Sequence, residues 1–81
     1  MRQQNNVKIM KYFSRQMASK RTQKNMSQGE LSEIVDCHIN TINNIECGRS
    51  SPNFEMALKL SKVLDISLDQ MIKEVLKDLD L

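Results

Sequence analysis

Tryptophan is absent from this 81-residue chain, and Tyr12, Phe13 and Phe54 are its only aromatic residues. Gly29 and Gly48 are the two glycines and Pro52 is the single proline. Sandwiches and barrels need many turn residues and β-formers, so this composition, rich in Leu, Ile, Met, Lys and Glu, favours helices. Cysteine is scarce too. Cys37 and Cys47 make no CxxC pair, and with His38 as the lone histidine there is no zinc-ligand spacing. The two thiols read as reduced cysteines of a cytoplasmic protein. No apolar run approaches the roughly 20 residues needed to cross a bilayer, and no stretch resembles a signal peptide. There is no Gly-rich phosphate loop, and no Ser-His-Asp or Cys-His arrangement suggests a nucleophile with its base. The chain reads as a non-enzyme, without metal or cofactor.

What is present is charge of one sign at one end. Residues 1–25 hold Arg2, Lys8, Lys11, Arg15, Lys20, Arg21 and Lys24 with no acid, a net charge of +7. The rest of the chain sets five basic residues against ten acidic ones, a net charge of −5. A cationic first quarter on a weakly acidic body suits a polyanion such as DNA, where Lys and Arg gain from counterion release. The length fits one domain over residues 1–81, small enough to need efficient helix packing or a partner.

Apolar periodicity divides the chain into five short helices. Ile9, Phe13 and Met17 recur every four residues in the first, and Asn25 is suited to end it because Asn tolerates the left-handed region. Ser27-Gln28-Gly29-Glu30 reads as a capping box opening a second helix, with Leu31, Ile34 and Val35 inward. That helix stops near Asp36-Cys37-His38. A third turns Ile42 and Ile45 inward and ends at Gly48. Asn53 caps a fourth, with the apolar set Phe54, Ala57, Leu58, Leu60 and Leu64. Ser67-Leu68-Asp69-Gln70, a second capping box, opens the fifth. The expected fold is a compact all-α domain.

The spacing of Ser27-Gln28, Glu30-Leu31, Thr41-Ile42, Ile45-Glu46, Gly48-Arg49, Pro52 and Leu64 to Leu68 resembles the Cro/phage-repressor type of helix-turn-helix domain, the XRE-type regulators. The likeness is to a five-helix, lambda-repressor-like core over about residues 12–72. It implies that the third helix, roughly residues 38–47, lies in the major groove of double-stranded DNA, with Ile39, Asn40, Thr41, Asn43 and Asn44 as base contacts. Asparagine can pair with adenine N6 and N7, and Ile39 suits a thymine methyl group. Gln28, Arg49 and Lys24 are the implied phosphate contacts, with Lys20 and Arg15 beside them. Arg21 and Glu46 fall where similar domains place a buried ion pair. Asp36 stands where glycine is common in the turn, Cys37 replaces a branched apolar residue, and His38 stands at an N-cap where Ser is usual.

Leu68, Met71, Ile72, Val75, Leu76 and Leu79 form one helical stripe. The part beyond the core, residues 73–81, either folds back on Val7, Ile9 and Met10 or pairs with a second copy. Val75, Leu76 and Leu79 are the expected dimerisation residues of a homodimer, which would read a palindromic operator. The sequence therefore reads as a transcriptional regulator, a repressor in the first instance, with no small-molecule effector and no membrane partner. A protein-interaction role, as in antitoxins and adaptor-like regulators of this fold, is the alternative.

Overall fold

The computed structural model describes residues 2–78, and within them the side chains of residues 10–74, 76 and 77. Five helices follow one another: α1 (Arg2–Gln23), α2 (Gln28–Ile34), α3 (Ile39–Glu46), α4 (Phe54–Leu64) and α5 (Leu68–Asp78). No strand occurs among the described residues, so the expected all-α, five-helix architecture holds. Helix α1 packs against α3, α4 and α5, while α2 packs on α3. The core between them is built from Phe13, Met17, Leu31, Val35, Ile42, Ile45, Leu60, Leu64 and Ile66. Met26, Cys37, Met56, Ala57, Val63 and Met71 close its edges. Among the described residues no helix is long and apolar enough to cross a membrane.

Each of the first four helices ends on a left-handed residue, although the chain has only two glycines to spend on such positions. Asn25 (φ 55°), Asp36 (φ 59°), Gly48 (φ 77°) and Asp65 (φ 58°) hold these turns. Asn and Asp enter this region at lower cost than other non-glycine residues because a short polar side chain can bond locally. In each turn the chain folds back onto the helix just ended, as in a Schellman motif. The N–H of Met26 reaches the Arg21 carbonyl at 3.1 Å, Cys37 reaches Ser32 at 2.9 Å, Arg49 reaches Asn44 at 2.8 Å and Ile66 reaches Ser61 at 2.9 Å. Carbonyls left orphaned by the helix ends are thereby satisfied.

Helix starts are equally well provided. Ser27 and Glu30 form the full capping box: the Glu30 N–H donates to Ser27 Oγ at 2.9 Å and the Ser27 N–H donates to Glu30 Oε1 at 2.8 Å. The bond from the Ser27 N–H holds the Glu30 carboxyl below the usual carboxylate range. His38 is the N-cap of α3, its Nδ1 accepting from the Asn40 N–H at 3.1 Å, and Asn53 accepts from the Met56 N–H at 2.7 Å. Only half of the second expected box forms. Ser67 accepts from the Gln70 N–H at 3.1 Å, but the Gln70 amide donates onward to Glu74 at 3.3 Å instead of turning back. Donating to a carboxylate one turn ahead is a charge-assisted bond, stronger than accepting from the Ser67 N–H.

The periodicity overstates the inner faces. Ile34 is 56% exposed. Helix α2 has seven residues and packs mainly on α3, so its buried stripe is narrow; Leu31 and Val35 fill it and Ile34 falls off its edge. Phe54 (80% exposed) and Leu58 (43%) lie one turn apart on α4, beside the stripe of Ala57, Leu60, Ser61 and Leu64 that faces the core. On α5, Met71 packs against the core but Ile72 (52% exposed) and Leu76 (40%) do not. The side chain of Val75, and Leu79 altogether, lie outside the described residues, as do the side chains of Val7 and Ile9.

Gly29 sits inside α2, where a Cβ would meet Ile39 Cδ1 at 3.7 Å and Ser27 Oγ at 3.8 Å, ordinary contact distances. Glycine in a helix interior costs about 0.5–1 kcal/mol relative to alanine. Gly29→Ala is expected to raise stability by about that amount in urea denaturation; a lower midpoint would show that α2 needs the bare backbone there.

Candidate nucleic-acid interface

The exposed side of α3 is built on a hydrogen-bonded framework that begins in α1. Arg21 reaches across to Glu46, the last residue of α3, with Nε to Oε2 at 2.7 Å and Nη2 to Oε1 at 3.1 Å. The side chains of Arg21 and Glu46 are 18% and 6% exposed. Two parallel bonds from a planar fork to a carboxylate fix orientation as well as distance, and they raise the Arg21 pKa above its ordinary value. The third arm, Nη1, donates to the Met26 carbonyl at 2.8 Å, which ties the turn before α2 to the same group. One guanidinium therefore joins α1, the entry to α2 and the end of α3.

A second contact between α1 and α3 is not signalled by any motif. Ser14 is buried, and its hydroxyl donates to the Ile45 carbonyl at 2.6 Å. The Ile45 carbonyl, in the last turn of α3, already accepts from the Gly48 N–H at 3.1 Å, and Ser14 brings it a second donor from another helix. The two residues are 31 positions apart. Sequence reading missed Ser14 because a serine in a helix carries no signal for a partner that distant.

Outward from Glu46 the framework continues along α3. Gln28 Nε2 donates to Glu46 Oε1 at 3.1 Å, and Asn43 Nδ2 donates to Gln28 Oε1 at 3.4 Å. Arg49, just past the helix, donates from Nη2 to Asn43 Oδ1 at 2.6 Å and from Nε to Asn44 Oδ1 at 3.0 Å. The structure thus brings Arg21, Glu46, Gln28, Asn43, Asn44 and Arg49 into one connected group. Asn43 and Asn44 are half-buried within it, while Ile39 and Asn40 are exposed at the start of α3 and Thr41 is half-buried.

Lys24 is not part of this group. Its ammonium lies 2.8 Å from Asp65 at the end of α4, and this hydrogen bond holds the Asp65 carboxyl below its ordinary range. Among the basic residues of the first quarter whose side chains are described, Arg21 and Lys24 are thus paired within the molecule, Lys24 at its surface. Lys11 and Arg15 are exposed and, with Met10, Ser14 and Ala18, line a groove of about 560 Å³ against Glu46, Cys47 and Gly48. Cys37 and Cys47 are free thiols. Burial pushes the Cys37 thiol up, in keeping with a half-buried side chain at the edge of the core. Among the described residues no group of three or more His, Cys, Asp or Glu is placed to hold a metal ion.

Removing one partner of a buried ion pair leaves the other charged and unpaired, at a cost of about 3–5 kcal/mol. Arg21 keeps some solvent and its bond to Met26, so Glu46→Ala is expected at the low end, near 3 kcal/mol. DNA affinity should fall with it. An alanine variant with an unchanged melting temperature would show that the pair does not hold α3.

No curated protein and no solved structure matches the chain. A family model described as Helix-turn-helix does match, over residues 17–71, a span that begins at Met17 in the core-facing stripe of α1 and ends at Met71, which packs against the core from α5. With two short helices, a tight turn between them and the second held by its own framework, the chain belongs to the helix-turn-helix family of Cro/phage-repressor type, whose members are DNA-binding regulators.

Proposed function

We propose that this protein is a sequence-specific regulator of transcription, a repressor, that reads a palindromic operator as a homodimer with α3 in the major groove. The observation that carries the reading is the framework under α3. A helix that only covered a core would not need its outer amides tied, through Gln28 and Glu46, to a buried arginine on another helix. Such bracing is what positions side chains for base edges, where small errors of placement forfeit the bond. In this reading Ile39, Asn40, Thr41, Asn43 and Asn44 face the bases. Arg49 adds a phosphate contact through the N–H groups it does not spend on asparagine. Gln28 lies at the start of α2, near a phosphate, while bracing Asn43. Lys24 would exchange Asp65 for a phosphate, since an exposed pair of this kind is held weakly. Phosphate contacts fix register, and the bases carry the specificity.

Assembly through α5 is supported by the exposure of Ile72 and Leu76 on one face of that helix, continuous in sequence with Val75 and Leu79. A two-fold dimer sets two recognition helices about 34 Å apart, one turn of DNA. The test is selection of sites from a random duplex library by the wild type and by Asn43→Ala/Asn44→Ala. The expected result is an inverted repeat with half-site centres about 10 base pairs apart, relaxed or lost in the double variant. A folded protein that enriches no sequence at moderate salt would point to protein interaction as the main role of this fold.

A further inference from the structure

The polar edge of α3 has a direction, set independently at both ends. Glu46 carboxylate oxygens only accept, so the Gln28 amide must turn its NH₂ toward them, as it does at 3.1 Å. The Gln28 carbonyl then faces Asn43, whose own NH₂ donates to it at 3.4 Å. That leaves the Asn43 carbonyl pointing onward to Arg49. A guanidinium offers donors and nothing else, so Arg49 requires the same orientation of Asn43 that Glu46 imposes from the far side. Arg49 Nη2 meets Asn43 Oδ1 at 2.6 Å, and its Nε meets Asn44 Oδ1 at 3.0 Å. The remaining side of Asn43 Oδ1 is approached by the Cys47 thiol at 3.9 Å.

Both asparagine carbonyls are thereby engaged by one cationic donor. Asn44 Oδ1 holds one donor and keeps a lone pair, but Asn43 Oδ1 carries two donors, Arg49 Nη2 and the Cys47 thiol. What Asn43 has left is one N–H. At Asn43 the edge offered outward is a donor. In the major groove guanine shows two acceptors, N7 and O6, whereas adenine pairs an acceptor with its N6 donor. To meet adenine, Asn43 would have to receive the N6 amino group on an oxygen that already holds a guanidinium N–H and a thiol, donor crowding against donor.

We propose that Arg49 sets the base specificity of this site: by occupying, with the Cys47 thiol, the carbonyl oxygen of Asn43 it leaves that side chain a donor only, which selects guanine and disfavours adenine. The inference rests on the reading of α3 as the DNA-reading helix. It makes Arg49 a specificity determinant in addition to a phosphate contact, and it changes the base expected opposite Asn43.

The test compares wild type, Arg49→Ala and Arg49→Lys in binding-site selection, with Asn43→Ala run alongside to mark the base pair that Asn43 faces. Arg49 is exposed, so both variants should melt with the wild type. Lysine keeps the charge for a phosphate but cannot bridge the two carbonyls with a planar fork. The expected result is guanine at the marked position for wild type. Both Arg49 variants should shift the guanine-to-adenine ratio there by about fivefold or more, the low end of what one bidentate base contact discriminates, and Arg49→Lys should lose less affinity than Arg49→Ala. Adenine at the marked position in the wild-type selection would overturn the inference while leaving α3 as the reading helix. So would an Arg49→Ala protein that binds every sequence more weakly with preferences unchanged, the behaviour of a phosphate contact alone. A folded wild type that selects no sequence would remove this inference together with the DNA-reading role.

Discussion

The bond between Arg21 and Glu46 is the constraint on which the rest of the molecule depends. Glu46 is a poor choice by local rules, because a carboxylate in the last turn of a helix opposes the helix dipole, and α3 has no basic residue in that turn to offset it. The offset comes from α1, through a two-bond contact from a guanidinium that also fastens the turn before α2. A locally unfavourable residue answered by a distant partner is the pattern expected where function, and not stability alone, has shaped a site. Ser14 adds a neutral bond from α1 to the same end of α3. Helix α3 is therefore anchored at its C-terminal end by an ion pair and a hydroxyl bond, and along its inner face by Ile42 and Ile45.

Rigidity elsewhere serves the same end. Four helix ends close on left-handed residues, three of them Asn or Asp, so the connections are short and their geometry is fixed by backbone bonds. In so small a chain this matters, because the core is limited and each loose turn would add freedom to the positions of α2 and α3. The polar outer edge of α3 inherits this order through Gln28. Its amides are oriented before any ligand arrives, which lowers the ordering cost of binding.

Much of this was legible in the sequence, and what was not has a physical reason. Capping residues are local signals, so Ser27, Glu30 and Asn53 could be placed from spacing alone, as could the turns at Asn25 and Gly48, while His38 follows from the family likeness. The helix-turn-helix likeness depends on ordered spacing and is carried by residues within the matched span. Ile34, Phe54, Leu58 and Ile72 belong to apolar stripes yet are exposed, because periodicity reports which residues share a side, not how wide a neighbour covers that side. The turn at Asp65 and its pair with Lys24 depend on where α4 ends relative to α1, across 41 residues. Arg49 could be placed near the DNA from the family spacing, but its bonds back to Asn43 and Asn44 depend on side-chain torsions after a left-handed Gly48, which no pattern encodes. For the same reason the net charge of the first quarter overstated what is free to meet a polyanion: Arg21 is spent on Glu46.

The most direct measurement of the central claim is an NMR titration of isotope-labelled protein with a duplex carrying its selected site. If the anchored α3 is the reading element, amide shifts should concentrate on α3 and the start of α2, while the Arg21 Nε–H signal stays in place because its carboxylate partner is unchanged. Shifts confined to α4 and α5, with α3 silent, would contradict the account and make the framework under α3 a purely structural feature.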